Sequence, residues 1–319
     1  MTQKGTAREN FLVCLNAVLP VFLLMLVGYA AKCLGFLDRG DVKKLNALMF
    51  RMFLPVLLFY NIYSSDLSSA IRPRLLAYAL AAVLAEFALS ALFARFAVKE
   101  RGKRSVVIQG IYRSNFVMIG LPIVKSLMGD VDLGPVAVLL ATVVPLYNVL
   151  AVIVLEYYNG EKPRPGKMVL DILKNPLILG SAAAVLALLL RLRLPAAVLT
   201  VAQEMAQVSS AFMLVLLGAF FRFDGLRRHV KELAMIVVGR LIAAPGIFLG
   251  LAAALGFRGL ELAALLGVFA SANATTSFPM AQQMGGDAEL AGDAVVATSA
   301  VCSFTLFFWC LLFKNLGLF

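Results

Sequence analysis

The chain reads as a succession of long apolar runs separated by short polar connections. A membrane-crossing helix needs about 20 apolar residues, and that ruler places about ten spans along the chain. Their approximate limits are 11–33, 43–63, 74–97, 104–128, 133–157, 168–190, 198–221, 231–255, 259–284 and 289–313. The connections are brief, such as Lys99-Glu100-Arg101-Gly102-Lys103-Arg104 and the stretch Gly160-Glu161-Lys162-Pro163-Arg164-Pro165-Gly166-Lys167. The second of these is the candidate linker between a first half, residues 1–160, and a second half, residues 161–319. The pattern predicts an all-α polytopic membrane protein.

Two of the apolar runs are interrupted in the same way. One reads Ser114-Asn115-Phe116-Val117-Met118-Ile119-Gly120-Leu121-Pro122 and the other Ala272-Asn273-Ala274-Thr275-Thr276-Ser277-Phe278-Pro279. Each puts an Asn about two helical turns ahead of a Pro. Pro122 and Pro279, Asp130 and Asp287, and Val136-Ala137-Val138 and Asp293-Ala294-Val295 all share one offset of 157 residues. Five spans in each half is an odd number, so similarly folded halves enter the membrane in opposite directions, giving two inverted five-helix repeats.

A proline inside a helix removes a backbone hydrogen bond and clashes with a carbonyl one turn earlier. In hydrocarbon the freed groups must be satisfied by protein or by a water-filled cavity. Two oppositely directed breaks in helices 4 and 9 would cross at Pro122, with Gly120, and at Pro279, and aim half-helix N-termini at one place. Such a place suits an anion, and the amides of Asn115 and Asn273 could donate to a carboxylate without adding a fixed charge. For one segment alone a proline kink beside a packing Asn is the plainer account; its duplication favours a binding site.

Composition narrows the class further. Hydrophobic residues make up 61% and charged residues 15% of the 319, a balance foreign to soluble domains. The net charge of +11 would point to nucleic acid in a soluble chain. Here Lys and Arg gather in short loops, where they report topology facing anionic lipid and call for no nucleic-acid partner. Sixteen of them follow spans 1, 3, 5 and 7, against eight on the other side, which puts both termini outside the cytoplasm and the midpoint linker within it. Lys4 and Arg8 run against that assignment. They also give the start of the chain the layout of a signal peptide, but the apolar run is long for one and carries Pro20, so it is read as the first span.

Little chemistry-bearing material remains. Cys14, Cys33, Cys302 and Cys310 lie in or beside apolar runs without metal-site spacing. The single histidine, His229, sits among Arg227, Arg228 and Lys231, and no phosphate-cradling Gly-rich loop occurs. No enzyme, cofactor or metal site is expected. Charges within the spans are costly, about 2.5–3.5 kcal/mol at a helix centre, and so are paired or functional. Glu86, Arg51, Arg113 and Arg240 are the cases. Glu86 could carry a coupling proton, or it could pair with Arg240 or Arg113 to hold helices together. Arg113, two residues before Asn115, would favour an anion there. Gly246 and Gly250, four apart, are expected to mark close helix packing.

These residues resemble the auxin efflux carrier family of membrane transporters over nearly the whole chain. The likeness runs through Ala17-Val18-Leu19-Pro20, Asn46 nine residues before Pro55, Ser114-Asn115 to Gly120-Leu121-Pro122, Asn175-Pro176-Leu177-Ile178 and the segment from Asn273 to Pro279. The resemblance implies ten helices, with spans 1, 2, 6 and 7 as scaffold and spans 3–5 and 8–10 as transport domain. It also implies that Asn115 and Asn273 bind a substrate carboxylate, with Ser114 and Thr275 beside them and Tyr147 or Asn148 lining the pocket. The short midpoint linker matches bacterial members, and span 3 lacks the Asp and Lys pair of plant members.

The function expected is therefore a secondary carrier of small organic anions in the cell inner membrane, working by alternating access and coupled to H+, Na+ or the membrane potential. A sodium-coupled symporter of the related bile-acid type and a ligand-binding membrane sensor are the alternatives, and a homodimer is open.

Overall fold

Apolar composition makes these runs helical, and prolines decide where the helices change pitch. The structure is a computed structural model and describes residues 7–64, 72–129, 133–159, 170 and 172–319. The expected midpoint linker at 160–167, and Asp130 of the repeated pattern, lie outside the described residues. The elements are α1 (Ala7–Cys33), α2 (Arg39–Tyr63), α3 (Pro73–Ala97), α4 (Arg101–Tyr112), α5 (Phe116–Met128), α6 (Gly134–Asn159) and α7 (Pro176–Leu189). After them come α8 (Ala196–Phe220), α9 (Phe223–Arg228), α10 (Val230–Ala254), α11 (Gly259–Ala270), α12 (Ser277–Gln283) and α13 (Ala288–Asn315). Among the described residues there is no strand, only one isolated β-bridge.

Six helices are long and apolar enough to cross a membrane: α2, α3, α6, α8, α10 and α13. The protein is a multi-pass helical membrane protein. Four further apolar stretches, Val18–Cys33, Phe116–Met128, Pro176–Leu189 and Gly259–Ala270, are shorter. Two of them are short because the chain leaves the helix partway, between α4 and α5 and between α11 and α12. Large apolar side chains such as Leu26, Phe96, Leu189 and Phe304 point outward, as a lipid solvent permits.

Three π-helical turns, Met49–Phe53, Phe116–Gly120 and Gly239–Ala243, each end two residues before a proline: Pro55, Pro122 and Pro245. In all three, the residue just before the proline donates its N–H five residues back, Leu54 to Met49, Leu121 to Phe116 and Ala244 to Gly239. The wider turn relieves the clash between the proline ring and the preceding turn without ending the helix.

Helices touch most closely where glycine removes the side chain. A Cβ on Gly28 of α1 would lie 1.8 Å from the Val215 carbonyl oxygen of α8, and one on Gly218 of α8 would lie 1.9 Å from that of Met25 in α1. The pair Gly246 and Gly250 does not behave this way. Gly246 meets only the edge of Trp309 at 3.6 Å and Gly250 faces open space. The π turn Pro245–Leu249 between them breaks the register that would stack residues four apart on one face. At the start of α2, Asp38 accepts the Asp41 N–H at 2.7 Å, and Asp41 accepts the Asp38 N–H at 3.1 Å. That reciprocal cap holds the Asp38 carboxyl below its ordinary range, chiefly through the Asp41 N–H.

Candidate functional site

The two interruptions meet. Arg113, after α4, is extended (φ −92°, ψ 119°), and Ser114 and Asn273 form the isolated antiparallel bridge. Asn115 donates its N–H to the Ala272 carbonyl at 2.8 Å, Ala274 to that of Arg113 at 3.3 Å, and Asn273 to Thr298 Oγ1 at 3.1 Å. These bonds satisfy the N–H groups that the breaks release, as a low-dielectric interior requires. The departure from helix therefore lies at Arg113–Asn115 and near Asn273, upstream of both prolines. Pro122, which is exposed, and Pro279, which is buried, stand within the second half-helices instead. The physical reason is that a proline early in a helix lacks only an N–H that has no obligatory partner, or is absorbed by the π turn before it. Gly120 acts differently, through its missing side chain. A Cβ there would lie 2.7 Å from the Gly267 carbonyl oxygen, so the glycine lets α5 touch the backbone of α11.

The carbonyls that the breaks release converge on one side chain. Arg240 of α10 is 0% exposed. Its Nε donates to the Ser271 carbonyl at 2.9 Å and its Nη1 to those of Ile111 and Tyr112 at 3.2 and 3.1 Å, while Nη2 reaches that of Val268. One guanidinium thus caps the negative ends of both α4 and α11. Its charge is balanced by Glu86 of α3, with Nη1 3.0 Å from Oε1. Among the described residues Glu86 Oε2 has no hydrogen-bond partner. Arg51, by contrast, is exposed on α2.

Arg113 is the other buried guanidinium, 2% exposed, and its surroundings differ. Nη1 lies 3.4 Å from Gln109 Oε1 and 2.9 Å from Met280 Sδ, and Nη2 donates to Asn148 Oδ1. All three partners are neutral, and among the described residues no carboxylate lies within 4.0 Å. Close by, Asn115 and Asn273 are buried, each with an Nδ2 lacking an acceptor among the described residues; Asn115 lines the small cavity beside Arg113, whereas Asn273 does not. Ser277 Oγ donates to Asn273 Oδ1 at 3.1 Å, which turns that amide so its N–H groups are the free end.

The remaining expected residues line the same place. Ser114 Oγ donates to the Tyr147 hydroxyl at 3.4 Å, Asn148 Nδ2 to the Val144 carbonyl at 2.9 Å, and Thr275 Oγ1 lies 4.0 Å from Met118 Sδ. Pro145 stands inside the continuous helix α6, two residues before Tyr147. A cavity of about 60 Å³ is walled by Arg113, Ser114, Asn115, Tyr147, Asn148 and Thr275. Its opposite wall, not expected from the sequence, comes from Asn61 of α2 and Ser210 and Met213 of α8. Asn61 and Ser210 are polar residues inside apolar runs, which is the one signal that marks them. His229 also departs from expectation. It is buried, not in an open basic loop, and its Nδ1 lies 2.9 Å from Asp293 Oδ2 on α13.

Broken apolar helices gathered around a small cavity, lined by apolar side chains together with one buried arginine and several neutral polar groups, define a helical membrane protein with an internal cavity. The sequence model of the membrane transport protein family matches residues 13–165 and 162–310. The chain belongs to this family of membrane transporters, the auxin efflux carriers its motifs resemble. It is also 22% identical over 306 residues, 94% of this chain and 98% of the relative, to an uncharacterized transporter of Methanothermobacter thermautotrophicus. Both kinships are to membrane transporters.

Proposed function

We propose that the protein is a secondary carrier of small organic anions, carboxylates in particular, which it binds between the two helix breaks. The observation that carries this reading is Arg113, a buried guanidinium facing the cavity with only neutral partners. An unbalanced charge in a membrane interior is costly, and a planar carboxylate matches a guanidinium fork with two parallel hydrogen bonds. The free amide of Asn115, in the cavity wall, would supply a further donor that adds no charge, and that of Asn273, buried behind the lining, would be reached as the two helix breaks move. Arg240 does not compete for the anion, because Glu86 balances it.

Alternating access would follow from the cavity's two walls. Arg113 to Asn115, Tyr147, Asn148 and Thr275 belong to helices assigned to a transport domain, whereas Asn61, Ser210 and Met213 belong to helices assigned to a scaffold. Movement of one set against the other, in a fold of ten helices in two inverted repeats whose broken helices cross, would open the cavity to each side in turn. Reconstituted proteoliposomes loaded and energised with proton or sodium gradients test the reading against a panel of mono- and dicarboxylates. Uptake of a carboxylate, reduced at least about tenfold in Asn115→Ala and Asn273→Ala while both variants elute as folded protein, is the expected result. Normal uptake by either variant removes that Asn from the site.

A further inference from the structure

A second, larger recess lies on the outer face between α3 and α10, behind the Glu86–Arg240 pair. Its deeper part is a slot of about 430 Å³, floored by Glu86 and Ser90 and otherwise lined by apolar side chains. The slot exists because α10 presents small residues there, Ala234, Gly239, Ala243 and Ala244, opposite Leu89 and Phe93 of α3. Leu89, Phe93, Val238 and Ile247 at its rim are about half exposed, so it opens sideways, where an apolar span meets lipid. Phe93 and Met235 are shared with a neighbouring recess of about 520 Å³ at the end of the two helices. That mouth is lined by Lys99, Lys103 and Lys231 against Glu100 and Glu232. Lys103 holds both glutamates, at 3.0 Å and 3.4 Å, whereas Lys99 and Lys231 are exposed and form no ion pair among the described residues.

We infer that this groove is a binding site for one anionic phospholipid, with an acyl chain in the slot between α3 and α10 and the phosphate at Lys99 and Lys231. Three features select that occupant together. The slot is apolar and opens sideways between two apolar spans, both recesses fall within the roughly 300–1,000 Å³ typical of small-molecule sites, and the lysines left over after Lys103 is satisfied line the adjoining recess at the end of the two helices. Basic pockets between spans on the side enriched in Lys and Arg are the established chemistry for holding such headgroups. A second copy of the chain would bring the same lysines into the contact and repel itself there. The groove is separate from the cavity at Arg113, and the inference stands whether or not carboxylates are the substrate.

Native mass spectrometry of the full chain, titrated with palmitoyl-oleoyl phosphatidylglycerol or with phosphatidylcholine of the same chains, tests the site. The expected result is at least about tenfold preferential retention of phosphatidylglycerol, abolished in the double variant Lys99→Ala/Lys231→Ala. Both changes are at exposed side chains. In Ala243→Phe, which fills the slot, retention of either lipid falls. Glycerol phosphate alone does not displace the bound lipid. Equal retention of the two lipids by the wild type, or an undiminished preference in the double variant, overturns the site. So does displacement by glycerol phosphate, or a change of dimer fraction in Ala243→Phe with lipid retention intact.

Discussion

Two arginines, Arg113 and Arg240, are buried against the same helix break and meet different neighbours. Arg240 meets a carboxylate and four main-chain carbonyls, so it is satisfied and structural. Removing it leaves Glu86 without its partner and the ends of α4 and α11 uncapped. Arg240→Leu is therefore expected to lower unfolding stability by about 3–5 kcal/mol, the usual cost of breaking a buried pair from one side. Glu86→Gln keeps the carbonyl contacts and should cost distinctly less. Thermal melting of the two variants in detergent, followed by tryptophan fluorescence from Trp309, compares them directly, and equal midpoints would refute the capping role. From sequence, both arginines and Glu86 were visible as intramembrane charges. The sequence offered both Arg240 and Arg113 as partners of Glu86, and the choice between them comes from the folded chain, which brings Arg240, 154 residues away, to 3.0 Å.

Helices were the most legible level, because membrane-length apolar runs state their own limits. Runs such as Pro73–Ala97 and Ala288–Asn315 fold as unbroken helices close to the limits expected. The location of the breaks was less legible. Proline marked the two segments correctly as interrupted, but a π turn lets α5 continue through Pro122, and the extended residues fall at Arg113 to Asn115 instead. Glycine spacing misled for a related reason, since a π turn stands between Gly246 and Gly250. Contact between helices depends instead on Gly28 and Gly218. Gly218→Ala is expected to destabilise the protein by about 1–3 kcal/mol, as overpacking does. Gly250→Ala, in open space within a helix, should be neutral or stabilising by up to about 1 kcal/mol. Denaturant titration in mixed micelles separates the two; a neutral Gly218→Ala would mean α1 and α8 are not in backbone contact.

For the whole molecule, the charge distribution along the loops predicts how the chain sits in the membrane. The excess of Lys and Arg after spans 1, 3, 5 and 7 would put both ends of the chain outside the cytoplasm, and Lys99 and Lys231 inside it. Single cysteines placed at Lys99 and at Arg258, in a variant lacking the native cysteines, should label from opposite faces of intact cells with a membrane-impermeant maleimide. Labelling from the same face would contradict the charge reading and the inverted repeat together. The walls of the central cavity were half legible in the sequence: the repeated Asn segments named one wall, while Asn61, Ser210 and Met213 come from helices whose approach depends on packing.

Transport of an organic anion depends, in this proposal, on Arg113 being the charge that the anion completes. The most direct test compares uptake of a transported carboxylate with that of its neutral carboxamide, in wild type and in Arg113→Gln, at equal amounts of folded protein in proteoliposomes. The wild type is predicted to prefer the carboxylate by at least about tenfold, and Arg113→Gln to lose this preference through loss of carboxylate uptake. An undiminished carboxylate preference in Arg113→Gln would contradict that role.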